Sequence, residues 1–422
     1  MTTLCSFFLL LLLFFFFPTF TASKPVVLPL QTMKISSVKH TTPTSKLLFR
    51  YNYSLVVPLK VGTPPQQINM VVDTGSELTW VQCQPSPELR GPIFNPSKSS
   101  SYHPLACASD VCANKARDLP SPPICDSKKL CHFAQAYADG STSEGTIATE
   151  TVSLGDLTLP SLVIGCTTSS YSSTKDDQTM TGLIGMNRGA LSFVSQVGSP
   201  RFSYCISDTS SSGVLVIGES DPVWASAALN YTPFVGVSMP LPYFDRVAYS
   251  VQLVGVRVAG KVLPLPKTVF VPDHTGAGQT MVDSGTQFTL LLGPVYTALK
   301  NEYLQRTRGL LGVYEDKNYI FQGAHDLCYR WSGRVLPALP PVVLMFNGAE
   351  MAVTGERLLY KVPDRAGVYC FTFGNSDLVP VEAYIIGHHH QQNMWVEYDI
   401  ERSRLGFAPA RCDLARQRLV RG

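Results

Sequence analysis

The sequence predicts an all-β protein built of two similar lobes, and three observations lead to this prediction. Short runs rich in Val, Ile, Thr and aromatic residues alternate with turn residues along most of the chain. Gly and Pro number 31 each and only 15% of the 422 residues are charged, which suits strands and turns better than a helical bundle. The segments VVDTGSELTW (71–80) and MVDSGTQFTL (281–290) repeat the same pattern of a turn that carries an aspartate, and the two aspartates are 210 residues apart (283 minus 73).

The first 23 residues are predicted to be a signal peptide. The apolar run from Phe7 to Phe17 suits a signal sequence and is short for a bilayer span, which needs about 20 apolar residues. Small residues follow at 21–23, where a signal peptidase would cut. No Lys or Arg precedes the run, so a signal anchor is the alternative. We expect entry into the secretory pathway (apoplast, vacuole or endoplasmic reticulum) and no stable membrane insertion after cleavage.

Residues 24–50 are polar and basic, and no acidic residue occurs before Asp73. This segment is either a disordered leader or a short propeptide whose positive charges cover an acidic cleft. The break between the two β-rich halves then predicts a first lobe at 51–220, a linker at 221–245 and a second lobe at 246–422.

The predicted strands begin near Tyr51, and a helical pattern occurs only in short pieces such as residues 295–311. The strand-like runs are SLVVPLKVG, INMVVDTG, TIATETVSL, LPSLVIGC, GVLVIG, YSVQLVGVRVAG, LPPVVLMF, AYIIGHHH and MWVEYDIERSRLGFAP.

Signal cleavage would remove Cys5 and leave ten cysteines, the number for five disulfides in an oxidising compartment. The cysteines crowded between 107 and 131 indicate a locally stapled loop; a zinc knuckle is the competing interpretation, but their spacings are not CxxC. Order alone leaves the pairing open for Cys83, Cys107, Cys112, Cys125, Cys131 and Cys166. Asn52 and Asn230 begin sequons that are open to glycosylation on the secretory route.

The two repeated turns carry the predicted chemistry. Two apolar strand residues precede each Asp, so the carboxylates of Asp73 and Asp283 emerge from buried strands. Glycines at 75 and 285 allow close approach of the two turns, and hydroxyls at 76 and 286 can donate to the carboxylates. If the turns face each other across a pseudo-twofold axis, the residues that support the pair are Gly75, Gly285, Ser76 and Thr286.

Two carboxylates in contact cannot both ionise, so such a pair shares one proton over a broad acidic range. One member can then take a proton from water while the other donates to a carbonyl oxygen, which hydrolyses an amide with no cofactor beyond the catalytic water. The net charge of +3 gives no reason to expect nucleic acid, and no phosphate-binding glycine loop occurs.

Several further motifs resemble the pepsin-like (A1) family of aspartic proteases, in its plant nucellin- and nepenthesin-like group. The resemblance runs from about Tyr53 to Cys412 and is closest to the promotion-of-cell-survival type, on GMNRGALSFVSQ (185–196). The other matching stretches are PLKVGTPPQ (58–66), YADGS (137–141) with GT at 145–146, TGLIGM (181–186), YIIG (384–387), VEYD (396–399) and LGFA (405–408).

The resemblance implies a bilobal pepsin-like fold, two β-barrel-like lobes with the cleft between them, and hydrolysis of polypeptides at acid pH by a monomer. It also implies that Tyr137 closes a flap over the substrate, with Trp80 hydrogen-bonded to it and Gly140 and Ser141 in the flap turn. Cysteine order and the resemblance together predict the bonds Cys205–Cys412 and Cys328–Cys370. The cysteine-dense segment 83–131 resembles the plant-specific insert that lies ahead of the flap; its pairing is left open, with a nested pairing of Cys107 with Cys131 and Cys112 with Cys125 as the expectation.

One departure from the family pattern is the triplet His388-His389-His390, where the family often has Asn, an aromatic residue and Gln. Because adjacent strand residues point to opposite faces, we expect a tolerated surface substitution and no metal site. The alternative to a protease is a catalytically silent pepsin-fold binding protein, such as a xylanase inhibitor. The presence of both aspartates and of the flap tyrosine favours the enzyme.

Overall fold

The computed structural model describes residues 24–34, 53–85, 89–171, 181–208, 213–220, 225–316 and 318–419. The predicted signal peptide, most of the predicted leader and Asn52 lie outside these ranges. The strands of the first half are β1 (Val26–Lys34), β2 (Tyr53–Val61), β3 (Gln66–Asp73), β4 (Trp80–Gln82), β5 (His103–Pro104), β6 (Ile124–Cys125), β7 (Cys131–Ala136), β8 (Thr142–Leu154), β9 (Leu157–Tyr171), β10 (Gly182–Gly185), β11 (Arg201–Cys205) and β12 (Gly213–Ile217).

The strands of the second half are β13 (Asn230–Pro233), β14 (Ser250–Val251), β15 (Leu253–Val258), β16 (Lys261–Val262), β17 (Gln279–Asp283), β18 (Thr289–Leu291), β19 (Gly312–Val313), β20 (Cys328–Arg330), β21 (Val342–Phe346), β22 (Ala349–Val353), β23 (Leu359–Lys361), β24 (Val368–Phe371), β25 (Phe373–Asn375), β26 (Ala383–Gly387), β27 (Met394–Asp399) and β28 (Arg404–Pro409).

Helices are few and short, as the sequence predicts. The α-helices are α1 (Asp110–Ala113), α2 (Phe193–Val197), α3 (Gly293–Thr307) and α4 (Cys412–Leu419). Helix α3 buries Val295, Tyr296, Leu299 and Tyr303, which lie three or four residues apart on one face. The 3₁₀ helices are Pro96–Lys98, Lys115–Asp118, Lys267–Phe270, Gly355–Arg357, Ser376–Leu378 and His388–Gln391.

The protein is an all-β, bilobal molecule with one sheet that runs through both lobes. That sheet has 15 strands in the order β13-β28-β27-β11-β12-β1-β2-β3-β10-β4-β9-β8-β7-β6, with β5 beside β8. Three smaller sheets complete the second lobe, ordered β14-β17-β26-β18-β25, β16-β15-β21-β22 and β19-β20-β24-β23. Because β27 pairs with β11, the C-terminal strands join the two halves. The lobe boundaries derived from the sequence stay a prediction.

Strand β1 differs from the expectation that residues 24–50 form a leader. It pairs with β12 on one edge and with β2 on the other, and it buries Leu28 and Leu30 in the main hydrophobic core. A strand with partners on both edges is part of the folded body, so the described part of this segment neither hangs free nor covers the cleft. Its short apolar alternation was hidden by the polar, basic residues that follow it.

Five disulfides connect the described chain: Cys83–Cys166, Cys107–Cys125, Cys112–Cys131, Cys205–Cys412 and Cys328–Cys370. The nested pairing expected for the insert is wrong. Cys125 and Cys131 lie opposite each other on β6 and β7, while Cys112 on α1 points inward to the buried Cys131. Cys107 is left to pair with the exposed Cys125.

Candidate active site

Each repeated turn follows a strand that pairs in parallel with an apolar-apolar-glycine strand. Asp73 ends β3 and lies opposite Gly185 of β10, and Asp283 ends β17 and lies opposite Gly387 of β26. At Gly185 a Cβ atom would overlap the main chain of Glu77, so this close crossing requires glycine. The same local architecture therefore occurs twice.

Within each turn, the carboxylate is held by the residues that the repeated sequence supplies. The Gly75 N–H donates to Oδ1 of Asp73 at 2.8 Å, and the Ser76 hydroxyl donates to Oδ2 at 2.5 Å. In the second turn, the Gly285 N–H and the Thr286 hydroxyl donate to Asp283 at 2.8 and 2.5 Å. Each carboxylate thus accepts one main-chain and one hydroxyl hydrogen bond, which fixes its orientation.

The two turns are tied directly to each other by the residues that follow the aspartates. The Thr74 N–H donates to the Ser284 hydroxyl at 3.0 Å, and the Ser284 N–H donates to the Thr74 hydroxyl at 2.9 Å. The two hydroxyls donate in turn to the carbonyl oxygens of Val282 and Val72, at 3.3 and 2.8 Å. These four hydrogen bonds, called the clasp below, are buried, and they hold the two turns at a fixed distance and orientation.

The clasp places the aspartates face to face. A Cβ atom on Gly75 would lie 2.9 Å from the Asp283 carboxylate, and one on Gly285 would overlap the Asp73 carboxylate. Burial, and next the charge of Asp283, raise the pKa of Asp73 above its usual value, against the lowering effect of the bonds from Ser76 and Gly75. The pair therefore holds one proton well above the usual carboxyl range.

Over the dyad lies the hairpin of β7 and β8, whose tip begins at Tyr137. The Trp80 Nε1–H donates to the Tyr137 hydroxyl at 2.7 Å, and that hydroxyl donates to Oε1 of Gln135 at 3.0 Å. The Gly140 N–H donates to the Tyr137 carbonyl and the Tyr137 N–H to the Ser141 carbonyl, both at 2.9 Å. Gly140 has φ +80°, so the tight turn at this tip needs glycine.

A cavity of about 570 Å³ lies between the hairpin and the two turns. Its other walls are formed by residues 242–245, 247–248, 380–383 and 385, which include the apolar Phe244 and Ile385, and by Met281 of β17. No Lys, Arg or His occurs among its lining residues, while Asp245 and Glu382 do, in the part of the chain that the structure describes. The cavity is large enough for several residues of an extended peptide.

Sequence reasoning missed three groups of this site: the clasp residues Thr74 and Ser284, and the flap partner Gln135. The signal for the clasp was present, because the middle residue of both turns is a small hydroxyl residue. Gln135 carries no such signal, since a single buried amide on a strand is not distinguishable from an ordinary polar position.

The expectation for the three histidines is corrected. They lie in the 3₁₀ helix His388–Gln391, not on a strand, and His388 and His390 are 2% and 0% exposed. Strand alternation does not apply inside a 3₁₀ turn, and the burial of His388 and His390 overturns the expected surface positions. Within the described ranges, no group of three or more His, Cys, Asp or Glu could hold a metal ion. Asn230, the described sequon, is exposed at the start of β13.

Comparison with known proteins agrees with this geometry. Two family models match, described as Xylanase inhibitor N-terminal over residues 55–219 and Xylanase inhibitor C-terminal over residues 248–409. Aspartic proteinase PCS1 of Arabidopsis thaliana is 56% identical over 408 residues, which covers 93% of this chain and 89% of that protein. Aspartic proteinase nepenthesin-1 of Nepenthes gracilis is 31% identical over 361 residues, covering 84% and 77%.

Among solved structures, the crystal structure of edgp superimposes with a TM-score of 0.67 and covers 94% of this chain and 98% of that one. At 19% identity, this likeness supports the fold alone. No helix in the described part of the chain is long and apolar enough to cross a membrane.

Proposed function

Because the chain belongs to the pepsin-like (A1) family of aspartic proteases, we propose that it cleaves peptide bonds with a water molecule activated between Asp73 and Asp283. The chain is an aspartic-type peptidase, and its substrates are polypeptides. One observation carries the assignment of these two residues: the crossed contact in which each aspartate faces the glycine of the other turn.

The proposed mechanism uses the shared proton. The ionised carboxyl takes a proton from the water molecule, whose oxygen attacks the carbonyl carbon, while the protonated carboxyl donates to the carbonyl oxygen. As the tetrahedral intermediate collapses, the C–N bond breaks and the carboxyl that took the water proton gives it to the leaving amine. The other carboxylate takes back a proton from a hydroxyl of the intermediate as the C=O bond re-forms, so the pair again holds one proton. Ser76 and Thr286 keep the carboxylates oriented throughout, since each donates to the oxygen Oδ2 of its own turn.

Tyr137 is proposed as the flap residue that closes over the substrate and excludes water. The hydrogen bond from Trp80 holds its ring in place, and Gly140 and Ser141 shape the turn that carries it. Burial raises the pKa of Tyr137 well above its usual range, so the hydroxyl stays protonated and available as a donor at every pH of interest.

A silent, inhibitor-like role is not favoured. The matching family models are described by the name xylanase inhibitor, yet both aspartates keep their full set of hydrogen bonds. Two relatives that match most of the chain are named aspartic proteinases. A degenerate site would have little reason to retain two matched carboxylates, since burying an unneeded ionisable pair destabilises the fold.

We further propose that the enzyme needs no cofactor beyond the catalytic water and acts as a monomer in the secretory pathway. Both carboxylates come from one chain, so a second copy is not required for the chemistry. Five disulfides suit an oxidising compartment. Asn52 and Asn230 remain proposed glycosylation sites, which peptide mapping of the secreted protein would test.

The direct test is cleavage of a denatured protein by the secreted enzyme from acid to neutral pH, with and without pepstatin. We expect cleavage that peaks at acid pH, is blocked by pepstatin and is lost in Asp73→Asn and Asp283→Asn. Circular dichroism on each variant shows that loss of activity is not loss of fold. Full activity in either variant would refute the proposed dyad, and cleavage that ignores pepstatin would point to another mechanism.

A further inference from the structure

Four histidines form a buried cluster behind the second catalytic turn. His325 and His390 are fully buried, His388 is 2% exposed, and His389 is half-buried beside them. The ring of Phe288 packs against His325 and His389 with centroid distances of 5.0 and 5.1 Å. Ionisable side chains with so little exposed surface are uncommon, and the proposed mechanism of hydrolysis uses none of them.

The cluster members differ in how their ring nitrogens are satisfied. Both nitrogens of His390 bond to hydroxyls, Nδ1 with Thr289 at 2.7 Å and Nε2 with Thr372 at 2.8 Å. Nδ1 of His325 bonds with the Phe371 carbonyl at 3.0 Å. Neither ring nitrogen of His388 has a well-aligned hydrogen-bond partner among the described residues, and only the main chain of Tyr53 comes near. His388 is thus the least compensated polar side chain of the cluster.

His388 is also the member closest in connectivity to the dyad. It follows Gly387, which lies opposite Asp283 in the parallel strand pair. Its N–H donates to the Thr286 carbonyl at 2.8 Å, and the next N–H, of His389, donates to the Gln287 carbonyl at 2.9 Å. The hydroxyl of Thr286 in turn donates to Asp283 at 2.5 Å. Any shift of the His388 backbone therefore moves the residue that orients Asp283.

We propose that His388 is a positioning residue for Asp283, and that protonation of its buried ring sets the acid limit of catalysis. The proposal rests on the dyad function proposed above. While the ring is neutral, it packs behind the second turn and the bond to Thr286 is kept. Once the ring carries a charge, it lies buried without an anionic partner, and the turn must move to expose it.

Burial opposes this protonation at every ring of the cluster. Burial lowers the pKa of His388 to about 4, against the opposite effect of the Tyr53 main chain. Burial first, and then His388, Arg357 and His325, lower the pKa of His389 to about 3. The titratable and charged groups that face His388 are His389 and His390 on its own turn, Tyr53 on β2, Glu356 and Arg357 on the 3₁₀ helix at 355–357, His325 with Asp326 before β20, Tyr360 and Lys361 on β23, Tyr369 on β24, Asp208 after β11, Arg334, and Asp283 beyond Thr286.

The sign of the effect follows from these directions. A histidine whose folded-state pKa lies below its unfolded value of 6.5 makes the fold less stable as the pH falls from 6.5 towards about 4. Below that range the folded state must itself take up the proton. The aspartate pair needs its shared proton and therefore limits activity at high pH, whereas protonation of His388 limits activity at low pH.

The test compares wild type with His388→Asn, whose amide is polar, is shorter and cannot titrate. Initial rates are measured from about pH 2.5 to 6, with kcat and KM resolved at each pH. At pH 3 we expect the variant to retain at least about threefold more of its optimal kcat than wild type, with KM changed less than twofold. Near pH 5 the two enzymes should agree within about threefold. His103→Asn, at an exposed histidine of β5, is the matched control and should follow wild type at every pH.

A second readout does not depend on activity. Near-UV circular dichroism during acid titration should show a tertiary transition at lower pH in His388→Asn than in wild type. An enzyme without protease activity would refute the proposed function, while this transition would still report on His388. If His388→Asn does not fold, His388→Gln takes its place. An acid limit and a transition that match wild type in a folded variant would overturn the proposal.

Discussion

Thr74 and Ser284 exchange hydrogen bonds across the junction of the two lobes, the N–H of each donating to the hydroxyl of the other at 3.0 and 2.9 Å. The two residues are 210 positions apart and both are essentially unexposed. Each directly follows one of the two aspartates that we propose as catalytic, so these hydrogen bonds help to set the distance between the carboxylates. The arrangement explains why the middle residue of both turns is a small hydroxyl residue.

Replacing Thr74 with Val is expected to loosen the dyad. The change leaves the Ser284 N–H and the Val282 carbonyl without their partner, at a cost of about 1–3 kcal/mol for a buried group. A shift of the carboxylates by even a fraction of an ångström should lower kcat by about 10- to 100-fold. Thr74→Ser keeps the hydroxyl and is the control. Chemical denaturation and steady-state kinetics measure both effects, and an unchanged kcat in Thr74→Val would contradict the role of the clasp.

Asp73→Asn should abolish activity and at the same time stabilise the fold at neutral pH. Because burial and Asp283 raise the pKa of Asp73, the folded state holds this proton more tightly than the unfolded state does. As the pH rises above 3.8, the unfolded state releases this proton while the folded state keeps it, so the fold loses stability, and asparagine removes that loss. We expect kcat to fall by at least about 10²–10⁴-fold.

Thermal unfolding at pH 3 and pH 7 separates the two effects of this substitution. The gain in unfolding temperature should be larger at pH 7, because there the Asp73 carboxyl of the unfolded wild type is ionised while the folded state keeps the proton. Asp156→Asn, at the exposed turn between β8 and β9, should change neither activity nor the pH dependence. An Asp73→Asn protein that is less stable than wild type at pH 7 would show that the carboxylate stabilises the fold.

The flap makes a separate prediction through Trp80. Trp80→Phe keeps an aromatic ring and removes the donor to the Tyr137 hydroxyl. A neutral hydrogen bond contributes about 0.5–1.5 kcal/mol, so kcat/KM should fall about two- to tenfold with little loss of stability. Trp331→Phe is the matched control, because Trp331 is half-buried too and its indole N–H bonds to the Val335 carbonyl. Equal values of kcat/KM in the two variants would contradict a role for Trp80 in holding the flap.

The hydrogen bonding within the two aspartate turns could be predicted from the sequence because it is local: a carboxylate, a hydroxyl three residues later and a glycine between them recur in both halves. The nature of His388–His390 could not be predicted in this way. Whether three consecutive residues continue a strand or turn into a 3₁₀ helix depends on what packs behind Gly387, and the parallel partner strand is distant in sequence.

Strand β1 was missed for a related reason. Its apolar alternation is short, and only the edges of β2 and β12 make a strand of it, both of which are contributed by other parts of the chain. Disulfide pairing in the insert is beyond sequence reasoning on different grounds, because four cysteines allow three pairings and the choice depends on which of them face inward.

The two disulfides of the insert give the last prediction, because they separate burial from loop closure. Cys107–Cys125 and Cys112–Cys131 close loops with separations of 18 and 19 residues, so the chain entropy that each removes from the unfolded state is nearly the same, about 3 kcal/mol. Their surroundings differ, since Cys112 and Cys131 are buried in a small apolar cluster while Cys125 is exposed. The double variant Cys112→Ala/Cys131→Ala should therefore be less stable than Cys107→Ala/Cys125→Ala by about 1–3 kcal/mol, the packing lost with the buried sulfurs.

Denaturant unfolding of the two double variants measures the difference directly, and non-reducing peptide mapping of the wild type checks the pairing. Equal losses of stability would mean that loop closure alone determines the effect, and a nested pairing in the map would contradict the arrangement of α1 against β7.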